Sequence, residues 1–123
     1  MILNVIASAM SDMKLNYAFM EWKDEPAFPF FVGEYQESPS LTEDGLQETT
    51  FILTGFSRGT WQELEQAKEK IEKYFSKVSG KTVITEQGSA VAVFYSYSLV
   101  VPTEDAELKR IEINLDVKEW KVI

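Results

Sequence analysis

Apolar positions change their period several times along this chain, and each change marks a new element. Ile2, Leu3, Val5, Ile6, Ala9, Met10 and Met13 recur at three- and four-residue steps. That spacing predicts a short helix that covers one face of a sheet and ends over Lys14 to Asn16. Tyr17 to Trp22 reads as a first strand, and Lys23, Asp24, Glu25 and Pro26 as a polar turn. Phe28 to Gln36, FPFFVGEYQ, is aromatic and extended. Pro29 has no N–H to give a ladder and belongs at a strand start or an edge, while Gly33 marks a candidate bulge. Glu37 to Leu46, with Pro39 and an Asp44-Gly45 pair, is the most loop-like stretch and predicts a long hairpin connection.

From Gln47 to Phe75 the pattern spells strand, turn and helix without a break. Thr49 to Leu53 is rich in β-branched and aromatic residues, which suit a pleated, half-buried surface. Gly55 and Gly59 bracket a turn. Thr60 and Glu63 have the spacing of a capping box, in which each side chain takes the other's backbone N–H. Trp61, Leu64, Ala67, Ile71, Tyr74, Phe75 and Val78 then form one helical stripe facing a core, with Gly80 placed for a left-handed cap.

Lys81 to Ser89 reads as a second polar connection, and Ala90 to Val101, AVAVFYSYSLVV, as the longest strand. Strict alternation puts Val91, Val93, Tyr95, Tyr97, Leu99 and Val101 on one face, toward the helices, and Ala90, Ala92, Ser96 and Ser98 on the other. After a turn at Pro102 to Glu107, Ile111, Ile113, Leu115 and Val117 alternate with Glu112, Asn114, Asp116 and Lys118, a half-buried strand that closes a hairpin with its predecessor. The expected architecture is a single α+β domain over residues 1–123: a mostly antiparallel sheet of four to five strands with two helices packed on one face.

Composition narrows the chemistry. The 123 residues are 45% hydrophobic and 13% aromatic, enough for one core. No apolar stretch approaches the roughly 20 residues that a membrane-spanning helix needs, so no membrane partner is expected. MILNVIASAMSDM lacks the basic start and small-residue cleavage site of a secretory signal, so it reads as a helix and export by the general pathway is not expected. The chain has no cysteine and no histidine. Disulfides, thiolate catalysis, most zinc sites and the usual neutral-pH general base are thereby removed. Twenty acidic against twelve basic residues give a net charge of -8, and the pI is near 4.5. Such a field repels phosphate, so specific nucleic-acid binding is not expected.

The remaining constellations read most simply as structure. Asp24-Glu25, Glu43-Asp44 and Glu104-Asp105 sit in turn candidates without the alternating ligands of a calcium loop. Glu34 and Glu37 supply the two carboxylates a glycosidase needs, but on a strand they face opposite sides. GFSRG, Gly55 to Gly59, resembles a phosphate-cradling turn with Arg58 as an anion clamp, yet lacks the P-loop lysine, and turn chemistry accounts for both glycines. Phe28, Phe30, Phe31, Tyr35, Tyr95 and Tyr97 could form a stacking platform, although most belong to a core by default. Trp120, on the polar face of the last strand, is a residue that needs a partner. No catalytic, cofactor-binding or metal-ligating residue is assigned, no cofactor is expected, and the chain is not expected to be an enzyme.

Pro29 to Phe75, with its PFFVGEY strand, acidic loop, TFILTGF strand and following amphipathic helix, resembles the small tail-terminator or tail-completion proteins of long-tailed bacteriophages and prophages. The resemblance covers under half of the chain, and its motifs are structural. It implies an α+β subunit that forms a ring, usually a hexamer, on the tail tube, stops tube polymerisation and offers a surface to the head. Expected partners are other copies of itself, the tail-tube protein and a head-completion or connector protein. The expected location is the host bacterial cytoplasm during assembly and then the virion tail. Ring subunits meet head to tail through two unlike surfaces. Phe30, Glu34, Glu37, Glu43, Asp44, Arg58 and Trp120 are the interface candidates, and the acidic Glu37, Glu43 and Asp44 are expected to keep a lumen from gripping DNA. Other classes stay open: a small soluble ligand-binding module, a carboxylate-only hydrolase, or another head-tail completion or minor capsid protein.

Overall fold

The computed structural model describes residues 2–21, 27–37, 46–76, 78, 80–84 and 88–120. Helix α1 (Ile2–Asp12) precedes strands β1 (Asn16–Phe19), β2 (Phe30–Glu37) and β3 (Leu46–Ser57). Helix α2 (Trp61–Tyr74) leads to β4 (Lys81–Ile84), β5 (Ala90–Val101) and β6 (Lys109–Trp120). The strands form one sheet in the order β1-β2-β3-β6-β5-β4. All neighbours are antiparallel except β1 and β2, which run parallel.

The α+β class stands, but the sheet has six strands where four to five were expected, and it is mixed. Two signals were weak for a physical reason. Lys81–Ile84, KTVI, is only four residues long and lies at an edge with one half-buried residue and three exposed ones, so it carries no buried alternation to set it apart from the polar residues that follow. The first strand is shorter than Tyr17 to Trp22, and Trp22 and the expected turn at Lys23 to Pro26 lie outside the described residues. Asn16–Phe19 aligns in parallel with Phe30–Gly33, the one parallel pair among the described strands of a sheet that is otherwise antiparallel as expected.

Both helices contribute to one core, against the same sheet face. Ile6, Ala9 and Met10 of α1 and Leu64, Ala67 and Ile71 of α2 are buried with Phe31, Phe51, Leu53, Val91, Val93, Tyr95, Ile111, Ile113, Leu115 and Val117. The helical stripe is narrower than its spacing suggested: Trp61 and Val78, at its two ends, are exposed. Helix α2 ends at Tyr74, where the Phe75 N–H donates to Ile71 O. Gly80 adopts φ +65° beyond that end, and a Cβ there would stand 2.6 Å from the Phe94 ring.

Gly33 holds regular register with Leu53, so it is no bulge. Its bare Cα makes room: a Cβ would lie 2.7 Å from both the Phe51 ring and the Tyr17 hydroxyl. Gly55 does the same for Phe31, its cross-strand partner, whose ring a Cβ would meet at 2.5 Å. Two buried phenylalanines thus lie over two glycines of the central strands, filling the volume that side chains would otherwise occupy.

The bulge occurs in β5. Tyr95 pairs with Leu115 and Tyr97 with Asn114, so Ser96 is an extra residue. Because side chains alternate, one inserted residue reverses the faces of everything after it. Tyr97, Leu99 and Val101 therefore leave the helix face, contrary to the strict alternation, and join Asn114, Glu112 and Arg110 on the other side.

Candidate functional site

No described element covers the second face of the sheet. Register places its rows directly. Phe30, Phe56, Arg110 and Val101 form one row; Val32, Thr54, Glu112 and Leu99 the next; Glu34, Ile52, Asn114 and Tyr97 the third. Farther along come Leu46, Trp120, Ala90 and Ile84. Tyr97 is 55% exposed and Ile84 73% exposed, on the side of a sheet that a monomer would be expected to keep polar.

One end of this face is an aromatic stack closed by cations. Phe30 stacks on Phe56 with centroids 5.2 Å apart and meets Phe28 at 5.3 Å. The Arg58 guanidinium lies 6.0 Å from the Phe28 centroid, and that of Arg110 5.8 Å from Phe56. Arg110 Nε and Asn114 Nδ2 are buried donors that meet no acceptor among the described residues.

Arg58 is held in place by its neighbours. Its Nη1 donates to Asp105 Oδ2 at 2.9 Å, tying the β3–α2 turn to the β5–β6 turn. The Asp105 carboxyl is held below the usual carboxylate range, first by the Glu107 N–H and then by Arg58. Of GFSRG, Gly55 to Ser57 belong to β3, so Gly55 is a strand residue and not the bracket of a turn; at the turn itself the Ser57 hydroxyl accepts the Gly59 N–H at 3.0 Å and donates to Glu63 Oε2 at 3.2 Å. Thr60 Oγ1 accepts the Glu63 N–H at 3.3 Å, which is half of the expected capping box; the Glu63 carboxylate lies against Ser57 and Gly59. A carboxylate already occupies the place a phosphate would take, so this helix start is a structural turn.

The interface candidates are scattered. Phe30 and Arg58 share the aromatic end through Phe28. Glu34 lies on the uncovered face and Glu37 on the opposite one, both exposed at the end of β2. Half-buried Trp120 belongs to the far row. Glu43 and Asp44, like Asp24 and Glu25, lie outside the described residues. Phe31, Tyr35 and Tyr95 are not part of one platform with Phe28, Phe30 and Tyr97, because register assigns them to the helix face. Sequence reasoning missed Leu99, Phe56 and Arg110 as surface partners, and it placed Tyr97, a platform candidate, on the helix face. A bulge leaves no signal in hydrophobic period, although the uncharged length of the AVAVFYSYSLVV run exceeds what the helices cover.

The concave places are shallow. One depression of about 280 Å³ lies between Lys14–Asn16 and the α2 residues Glu63, Ala67 and Lys70, and one of about 340 Å³ borders Phe94, Asp116 and Lys118. Both open broadly to solvent. No three metal-ligating side chains gather among the described residues. No described helix is long and apolar enough to cross a membrane. The arrangement offers surfaces for association. No protein-family model matches the chain, and no curated protein matches it either.

Proposed function

We propose that this chain is a tail-terminator-like structural subunit, one that assembles with copies of itself into a ring, caps a phage tail tube, halts its polymerisation and presents a surface for head joining. Its role is structural and not enzymatic. The observation that carries this reading is the sheet face that no described element covers, on which Tyr97 and Leu99 stand exposed toward the Phe28–Phe30–Phe56 end and Ile84 stands exposed at the far end. Apolar residues so placed favour a protein partner over solvent. The sheet also ends in two unlike edges, as head-to-tail contacts require. The resemblance of Pro29 to Phe75 to tail terminators supplies the biological setting, with the tail-tube protein and a head-completion protein as partners.

Native mass spectrometry over a wide concentration range, with negative-stain microscopy of the most concentrated sample, tests it. The expected result is a closed ring, a hexamer on the family pattern, with a central hole that admits duplex DNA. A monomer that neither closes into rings nor arrests tube growth when mixed with tail-tube protein would sink the reading.

A further inference from the structure

Among the described residues each edge of the sheet is only half paired, and the open halves are complementary. Strand β1 pairs with Phe30 to Gly33 of β2 and stops, so Glu34–Glu37 has no strand on its outer edge among the described residues. Strand β4 pairs with Ala90 to Val93 of β5, and the Tyr95 N–H donates to Phe75 O at 2.7 Å. Beyond that point Ser96–Val101 has no partner on its outer edge among the described residues. The remaining outer edges belong to β1 and β4, four residues each, the length to which natural proteins trim exposed edges.

We propose that the open edge of β5, Ser96 to Val101, receives the open edge of β2, Glu34 to Glu37, from a second copy of this chain. This rests on the ring reading and names its joint. In the sheet order β2 runs antiparallel to β5, so adding the next copy in the same orientation makes an antiparallel ladder. The open halves lie at opposite ends of the strands: Phe30–Gly33 is level with the Arg110 end of β6, and Ala90–Val93 with the Val117 end. Neighbouring copies must therefore step along the strands, with β1 and β4 as end stops, and a fixed step is what a closed, tilted wall of strands uses.

Alternation and the end stops together select the register. With Glu37 opposite Ser98, Gln36 falls opposite Leu99 and Glu34 opposite Val101, so the uncovered faces of the two copies run on as one and Gly33, already paired with Phe19, is left clear. Charge agrees. The open β5 edge is uncharged, whereas that of β2 carries Glu34 and Glu37, so pairing β2 with itself would set carboxylates together in a chain of net charge -8.

A chain without native cysteine makes the test clean. Leu99→Cys and Gln36→Cys, purified separately and mixed under oxidation, are expected to give a mixed disulfide that neither variant gives alone. Carrying both substitutions on one chain is expected to give a ladder of cross-linked oligomers. A Leu99→Cys homodimer forming by itself overturns the proposal in favour of a two-fold β5 pair. Rings without the mixed disulfide overturn it and leave the ring reading standing. Cross-linked open filaments that never close support the joint and count against the ring. Monomers throughout, without cross-link in any mixture, overturn it as well.

Discussion

Tyr17 carries a hydroxyl that no described residue receives, beneath the bare Cα of Gly33. Burial disfavours the phenolate and pushes its pKa up to about 12. The sign follows from linkage: the folded state keeps the proton that the unfolded chain releases near pH 10, so stability is full below that value and falls as pH rises toward 12. Tyr17→Phe is expected to flatten this alkaline loss and, because an unpaired buried hydroxyl is removed, to leave neutral-pH stability unchanged or up to about 1 kcal/mol higher. Urea unfolding at pH 7 and pH 10.5, values chosen to lie about 3 units below and just above the unfolded pKa, reads both effects. Gly55 is the opposite case. Gly55→Ala would place a methyl 2.5 Å from the Phe31 ring, and the displaced ring is expected to cost about 1–3 kcal/mol, seen as a lower urea midpoint.

At the scale of elements, α2 starts where its first turn closes on itself, and at one end of the sheet the β3–α2 and β5–β6 turns are joined by Arg58 and Asp105. Thr60→Ala removes the acceptor for the Glu63 N–H and is expected to cost about 1 kcal/mol of stability with an unchanged denaturant slope. The Arg58–Asp105 contact depends on acid. A carboxyl held below its ordinary range adds stability that is present above the unfolded aspartate pKa and lost as pH falls through the lower folded value. Asp105→Asn should therefore weaken the fold slightly at neutral pH and shrink the acid-side fall in thermal midpoint between pH 5 and pH 2.5, values chosen about one unit above and below the unfolded aspartate pKa. The pair is exposed, so added salt should diminish the difference. The bulge at Ser96 acts at this scale too. One residue sends Tyr97 and Leu99 to the face that lacks a described cover, and so sets where apolar surface remains.

For the whole molecule, the described helices lie on one sheet face, and among the described residues the other face and two half-edges have no cover, in a chain of net charge -8. If the acidic residues keep a lumen from holding DNA, then Glu43→Lys with Asp44→Lys is expected to raise duplex affinity and steepen its salt dependence, read by fluorescence anisotropy at two ionic strengths. An unchanged affinity would end that account.

What was legible in the sequence was what neighbouring residues decide among themselves. Helix α2 with its Thr60 cap, the Ile111 to Val117 alternation and the β5–β6 hairpin all follow from local period and side-chain reach, and all stand in the fold. The absence of cysteine and histidine narrowed the chemistry in the same direct way. What only the tertiary structure decided depends on residues far apart in the chain. The parallel β1–β2 pair, β4 as an edge strand, the glycines that admit Phe31 and Phe51, and the Ser96 bulge each arise from a partner strand or ring that local pattern does not specify. The candidate surface falls in this second group. Exposure of Tyr97 and Leu99 is settled by which side of the sheet the helices take and by one inserted residue, because a single step along a strand exchanges its two faces.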